Sequence, residues 1–272
     1  MVAGIGVIAA IILYAASKRF RVDEDPRIDE IEALLPGANC GGCGQRGCRD
    51  FALACTRATT LEGLNCPVSP PGVMQKIAAI VGLVAVQKQP DMAIVRCNGT
   101  CANRQRLVKY EGVSSCAIEA SLFAGETACA YGCLGCGDCV SVCPYGAMTM
   151  DTETRLPHID YDKCVGCGKC VKACPRNIVA LVPRHENRAQ VWVSCVNHDK
   201  GAVAIKECKV SCIGCGKCMK VCPSEAINVK SFVASIDPDK CISCGACVEV
   251  CPRNSIRYFN LLQTTAREED NI

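Results

Sequence analysis

Cys133-Leu134-Gly135-Cys136-Gly137-Asp138-Cys139-Val140-Ser141-Val142-Cys143-Pro144 is the stretch from which the architecture can be worked out. Its pattern is C-x2-C-x2-C-x3-C-P. Three thiolates on one tight loop cap three irons of a cubic [4Fe–4S] cluster, the proline redirects the chain, and the fourth thiolate reaches across to a second cluster. Gly135 and Gly137 let backbone amides approach the sulfurs. The pattern recurs at Cys164/Cys167/Cys170/Cys174-Pro175, Cys212/Cys215/Cys218/Cys222-Pro223 and Cys241/Cys244/Cys247/Cys251-Pro252. First cysteines lie 31 residues apart in one pair of runs (133 to 164) and 29 in the other (212 to 241). Crossed ligation then groups Cys133/Cys136/Cys139/Cys174, Cys164/Cys167/Cys170/Cys143, Cys212/Cys215/Cys218/Cys251 and Cys241/Cys244/Cys247/Cys222. Zinc also takes C-x2-C pairs, but it requires neither the regular third cysteine nor the Cys-Pro ending.

Short alternating stretches flank the runs, 147–150 with 158–160 and 227–229 with 233–236. They read as the strands of two bacterial-ferredoxin-like 2[4Fe–4S] modules of α+β class. The chain of 272 residues holds 27 cysteines but only 4% aromatics, so metal centres must organise much of it in place of a large apolar core. The net charge is +3 and no basic stretch is interleaved with aromatics, which argues against a nucleic-acid partner. Each oxidised four-thiolate cluster carries about −2, so five would take the chain to about −7.

Residues 1–17, MVAGIGVIAAIILYAAS, carry no charge, and Lys18, Arg19 and Arg21 follow. As a helix they would span about 25 Å, near the lower limit for crossing a hydrocarbon core of about 30 Å. A secretory signal places its charges ahead of the apolar run. Charges behind it put the body on the cytoplasmic side. The expectation is a single-pass transmembrane helix in the bacterial cytoplasmic (inner) membrane. In that compartment thiols stay reduced, and the cysteines bind metal instead of one another.

A small iron–sulfur domain follows. Cys40, Cys43 and Cys48 on a glycine-rich loop, with Cys66-Pro67, supply four thiolates for a fifth cluster near the membrane, and Cys55 competes with Cys66. The segment 49–64 has helix-like composition and returns Cys66 to the site. Ahead of it, Asp25 is a plausible N-cap, Pro26 takes the first helical position, and Ile28, Ile31 and Leu35 repeat at helical spacing.

The order of these features carries a resemblance. An apolar N-terminus, then VDEDP (22–26), then LLPGANCGGCGQRGC (34–48), then ferredoxin runs, resembles the B subunit of Rnf-type ion-translocating ferredoxin:NAD oxidoreductase complexes over nearly the whole chain. The resemblance implies an iron–sulfur relay subunit of a multisubunit translocase that couples electron transfer between reduced ferredoxin and NAD to ion movement. Its partners would be the other subunits, soluble ferredoxin as donor, and the membrane, with the NAD site on another subunit. Many members carry one ferredoxin pair, and this chain has two. Other readings are a polyferredoxin subunit of another membrane oxidoreductase, such as a hydrogenase, and a membrane-tethered metal-binding adaptor without low-potential reduction.

Six cysteines remain: Cys97, Cys101, Cys116, Cys129, Cys195 and Cys208. The longer pattern C-x12-C-x3-C-x2-C-x2-C-x3-C-P starts at Cys116 and again at Cys195, 79 residues on, which suggests a duplicated module. Cys97, Cys101, Cys116 and Cys129 form a candidate sixth site, although this alignment gives Cys97 and Cys101 no counterpart in the second module. A zinc site and buried or redox-active thiols are the other readings. Cys195 and Cys208 would need ligands from elsewhere, Cys97 and Cys101 among them. Five [4Fe–4S] clusters are expected, and six if this set binds one.

The expected plan is an anchor (1–17), a helical linker (18–36), the membrane-proximal cluster domain (37–70), an intermediate α/β segment (71–128), the first module (129–182), a linker (183–207), the second module (208–258) and a tail (259–272). Within the intermediate segment, 74–86 reads as a helix ended by Pro90 and 92–95 as a strand. Lys163, Lys169, Lys172, Lys217 and Lys220 either offset cluster charge or steer an acidic ferredoxin. Asp138 stands where later runs have Lys169 and Lys217, which predicts a more negative potential for the first-run cluster. His158, His185 and His198 are isolated, and no catalytic acid–base group, Walker loop or dinucleotide fingerprint is present.

Overall fold

The computed structural model describes residues 10, 11, 13–15, 19, 25–85, 89–123, 125–185 and 187–260. Most of the expected anchor and residues 261–272 of the tail lie outside them. Ala10, Ile11 and 13–15 are helical, with Ile11, Leu13 and Tyr14 exposed. Among the described residues no helix is long and apolar enough to cross a membrane. The chain divides into two compact units, one formed by 1–41, 45–65 and 69–86, the other by 42–44, 66–68 and 87–272.

The first unit packs helices α1 (Pro26–Leu34), α2 (Cys48–Arg57) and α3 (Val73–Val81). Asp25 caps α1 by accepting the Arg27 amide at 3.0 Å, and Pro26 sits where no amide donor is needed. Ile28 and Ile31 from α1, Phe51, Ala52 and Cys55 from α2, and Val73, Ile77 and Ala78 from α3 are buried. Cys55 is 0% exposed on this apolar face, the place of a small hydrophobe. Two helices are shorter than expected. α2 stops at Arg57, and α3 stops at Val81 because Gly82, at φ +72°, takes the left-handed C-cap well before Pro90.

The second unit repeats one pattern. Its first half holds β1 (Asp91–Val95), α4 (Cys116–Leu122), α5 (Asp138–Ser141), β2 (Met148–Met150), β3 (Pro157–Ile159), α6 (Lys169–Ala173) and β4 (Val179–Pro183). Its second half holds β5 (Gln190–Val193), α7 (Gly201–Glu207), α8 (Lys217–Lys220), β6 (Ile227–Lys230), β7 (Val233–Ile236), α9 (Ala246–Glu249) and β8 (Ile256–Phe259). In each half the inner strands form a hairpin between the two cysteine runs, β2 with β3 and β6 with β7. The outer strands pair antiparallel, Ala93 opposite Leu181 and Val193 opposite Ile256. These outer strands extend the modules into 71–128 and 183–207, which the sequence plan treats as connecting segments. A strand this short carries no local mark of a partner so far along the chain.

A two-stranded sheet is marginal alone. Each is backed by a small core: Ala93, Met148, Ile159, Ile178 and Val179 in the first half, and Val193, Ile227, Ala234 and Ile256 in the second. Cys133, Cys139 and Cys170 belong to the first core, and Cys195, Cys218 and Cys247 to the second, so bound metal would complete the packing. The halves join where Trp192 Nε1–H donates to the Val95 carbonyl at 3.0 Å, Arg257 donates to Asn98, and the Tyr161 and Phe259 rings lie 4.4 Å apart.

Between β1 and the first run, Glu126 pins a long insertion. Its carboxylate accepts Arg106, Arg155 and the Tyr110 amide, each at 2.8 Å. Burial pushes its pKa up, but those donors outweigh burial and hold it below the usual carboxylate value. Glu126→Ala is expected to cost about 2 kcal/mol of local stability, an about 30-fold loss of protection in hydrogen exchange at the Leu107 and Ala128 amides. Because the folded pKa is lowered, this stability is present above the ordinary carboxylate range and is lost as pH falls through the lowered value.

Candidate metal centres

Each run is shaped by the same backbone turns. Gly137, Gly168, Gly216 and Gly245 adopt φ of +88°, +76°, +69° and +78° and cap the short helices that carry the third cysteine. Behind each Cys-Pro, the next residue but one is left-handed: Gly146, Asn177, Glu225 and Asn254. That turn aims amides back at the cysteine. Ala226 N donates to Cys222 Sγ and Ser255 N to Cys251 Sγ, both at 3.4 Å. Strand amides add to this, Ala93 N to Cys164 Sγ at 3.5 Å and Ala234 N to Cys212 Sγ at 3.4 Å. Such bonds stabilise charge on sulfur and set cluster potential.

The thiols stand around voids. Cys143, Cys164, Cys167 and Cys170 line one cavity. Cys212, Cys215, Cys218 and Cys251 line another. Both groupings cross between runs. Cys133, Cys139 and Cys174 share a third cavity, where the fourth thiol is Cys116, while Cys136 Sγ donates to Glu119 at 3.0 Å. Burial pushes the Cys247 thiol up to about 11, with the Cys241, Cys218 and Cys244 thiols close enough to add to the rise, and Cys222 stands at the turn between α8 and β6. Among the described residues no three His, Cys, Asp or Glu side chains close round a single-ion site.

A fourth cavity gathers four of the six remaining cysteines. It is lined by Cys97, Cys129, Cys195 and Cys208. Of the candidate set Cys97/Cys101/Cys116/Cys129, this cavity holds Cys97 and Cys129, while Cys101 is exposed with its thiol on the Thr154 carbonyl and Cys116 lines the first-run cavity. The strands align the two halves differently from the cysteine spacing. Cys97 lies two residues beyond β1 and Cys195 two residues beyond β5, so these two are the counterparts. Cys129 and Cys208 each lie four residues before a run. The connection from Cys97 to Cys129 is much longer than that from Cys195 to Cys208, and this insertion hides the equivalence from spacing. Burial pushes the Cys195 thiol up to about 12 and Cys129 to about 11, so without metal they are held neutral. Binding a positive metal core would displace those protons.

The ferredoxin-like regions match a 4Fe-4S dicluster domain at 132–178 and 211–255, and a second 4Fe-4S dicluster domain at 163–227. A putative Fe-S cluster family matches 35–59, which contains Cys40, Cys43, Cys48 and Cys55. The B subunit of the ion-translocating oxidoreductase complex of Methanosarcina acetivorans is 40% identical over 243 residues, 88% of this chain and 89% of that protein. This chain belongs to that B-subunit family. In Clostridium ljungdahlii, the B subunit of the proton-translocating ferredoxin:NAD(+) oxidoreductase complex is 42% identical, covering 86% of this chain and 81% of its own. The Na(+)-translocating counterpart of Acetobacterium woodii is also 42% identical, over 86% of this chain and 69% of its own. Equal identity to a proton and a sodium system leaves the ion unmarked in overall similarity.

In the loop ahead of α2, Asn39, at φ +45°, accepts the Cys48 amide on Oδ1 at 2.7 Å and so caps the helix, a role missed by spacing arguments centred on cysteine. Cys40 and Cys48 fall in the first unit, Cys43 and Cys66 in the second. Asp138, singled out for its charge, has a structural task. It accepts Ser115 Oγ at 2.9 Å and Ala117 N at 3.0 Å, tying the start of α4 to the first run. Burial pushes its pKa up, but the Cys116 and Ala117 amides and the Ser115 hydroxyl hold it below the ordinary value.

Proposed function

We propose that this chain is the iron–sulfur relay subunit of an ion-translocating ferredoxin:NAD oxidoreductase. Reduced ferredoxin would donate to the ferredoxin-like modules, and electrons would leave towards membrane subunits through Cys40, Cys43, Cys48 and Cys66. The observation that carries the reading is the repeated grouping of four thiols around one cavity. Bound there, [4Fe–4S] clusters supply reversible one-electron transfer. Five sites follow from the run and loop spacing, with Cys136 completing the first-run set and Cys222 the fourth-run set. The sixth is the set Cys97, Cys129, Cys195 and Cys208, which bridges the modules. A membrane anchor at 1–17, with the body on the cytoplasmic side, rests on the uncharged run and the basic residues behind it.

The test is metal analysis of anaerobically purified full-length protein. The expected result is about 24 iron per chain with matching sulfide and no zinc; zinc in place of iron would sink the relay. Replacing Cys43 with alanine is expected to abolish reduction of membrane partners while the ferredoxin-like sites stay reducible. Membrane reduction that survived would put the exit elsewhere.

A further inference from the structure

The two-fold repetition at the bridging set extends to its arginines. The second and fourth Cys-Pro turns read Cys174-Pro175-Arg176-Asn177 and Cys251-Pro252-Arg253-Asn254, whereas the first and third carry Tyr145 and Ser224 at the arginine position. Arg176 Nη1 donates to the carbonyl of Cys129 at 3.3 Å and of Gly132 at 3.0 Å. Arg253 Nη2 donates to the carbonyl of Cys208 at 3.1 Å. Cys129 and Cys208 are counterparts, so each module's last Cys-Pro-Arg turn grips one bridging ligand.

Two other arginines line the bridging cavity itself. Arg104, 8% exposed, bridges Cys208 through its backbone and donates to the Cys133 carbonyl; Arg96 precedes Cys97. Arg253 Nε is buried with no hydrogen-bond partner among the described residues, a cost that a nearby anion offsets. Opposing charge is sparse. Glu207, bound by Asn197 Nδ2 at 2.7 Å, acts on Cys129, and Glu119 acts on Arg176. Asn197 Nδ2 also donates to Cys129 Sγ at 3.5 Å. Arg176 also lines the first-run cavity and Arg253 the third-run cavity. No run cavity is lined by more than one of these arginines, whereas two line the bridging cavity and two bond the backbone carbonyls of its cysteines.

We propose that Arg176 and Arg253, assisted by Arg104, make the bridging four-thiol set the least negative potential in the relay, so that electrons entering either ferredoxin-like module collect there. The inference rests on the six-site reading. An added electron makes a cluster more negative, and fixed positive charge in a poorly solvated site favours that state. The transfer is one electron out of a run site and one into the bridging site, with no bond made or broken and no proton moved.

The experiment is an EPR-monitored redox titration of the iron-loaded full-length protein. Cys195→Ala identifies the bridging midpoint as the one that disappears with about four iron. That midpoint is expected to be the least negative in the wild type. It should move to more negative potential in Arg176→Gln and Arg253→Gln, and stay in place in Arg176→Lys, with iron content unchanged. A bridging midpoint at or below the others, or one unmoved by the glutamine changes at full iron, would overturn the inference. If Arg176→Gln sheds iron, the Arg253→Gln midpoint decides alone. About 20 iron in the wild type would remove the bridging site itself and the inference with it, an outcome separate from a full iron count with an unmoved midpoint.

Discussion

Replacing Cys174 with alanine is expected to empty the site of the preceding run, not its own. Cys174 shares its cavity with Cys133 and Cys139, whereas Cys143 sits with Cys164, Cys167 and Cys170. The variant should therefore lose about four iron per chain together with one low-potential signal. Pairing distinguishes crossed from local ligation, because changes within one site do not add. Cys133→Ala combined with Cys174→Ala should lose no more iron than either alone. Cys164→Ala combined with Cys174→Ala should lose about eight. Local ligation predicts the reverse on both counts. The same crossing holds in the second module, where Cys251 stands with Cys212, Cys215 and Cys218.

Gly166→Ala is expected to disable the second-run site and to destabilise the first module by about 3 kcal/mol or more. Two costs combine. Gly166 sits at φ +66°, where a Cβ costs about 1–2 kcal/mol. The added Cβ would also overlap the carbonyl oxygen of Asp91, backbone of β1 that cannot swing aside as a side chain would. β1 is held by β4 from Asp91 to Val95, and its Ala93 amide donates to Cys164 Sγ, so moving the strand disturbs the ligand directly. Gly168→Ala is the control. It carries a similar φ of +76°, but its Cβ would meet only Leu181 Cδ1 at 3.5 Å, an ordinary contact, so it should cost about 1–2 kcal/mol. Urea midpoints and iron content of the two variants measure the difference. Equal losses would mean that the approach to Asp91 carries no weight.

Much of this molecule is written locally. The hairpins at β2–β3 and β6–β7 were legible because their strands alternate and lie close in sequence. The Asp25 cap and the face of Ile28 and Ile31 were legible because helix starts depend on neighbouring residues. The outer strands β1 and β5 were not placed in their modules, since each finds its partner only after the runs between have folded. Asn39 escaped notice because its cap on α2 spans nine residues of glycine-rich loop.

The division is sharpest at the cysteines. The spacing C-x2-C-x2-C-x3-C-P by itself pointed to 4Fe-4S dicluster domains and the two-module plan, because three cysteines on one short loop are a local constraint. The partition of the other six thiols was decided only in three dimensions. Spacing matched Cys116 with Cys195, but strand pairing matched Cys97 with Cys195 and brought both to one cavity with Cys129 and Cys208. It also showed what two of the Cys-Pro arginines reach, since Arg176 and Arg253 bond the carbonyls of Cys129 and Cys208, 47 and 45 residues away. A set of thiols assembled from the ends of two strands and the approaches to two runs has no short-range signature, since its members become neighbours only when the modules pack.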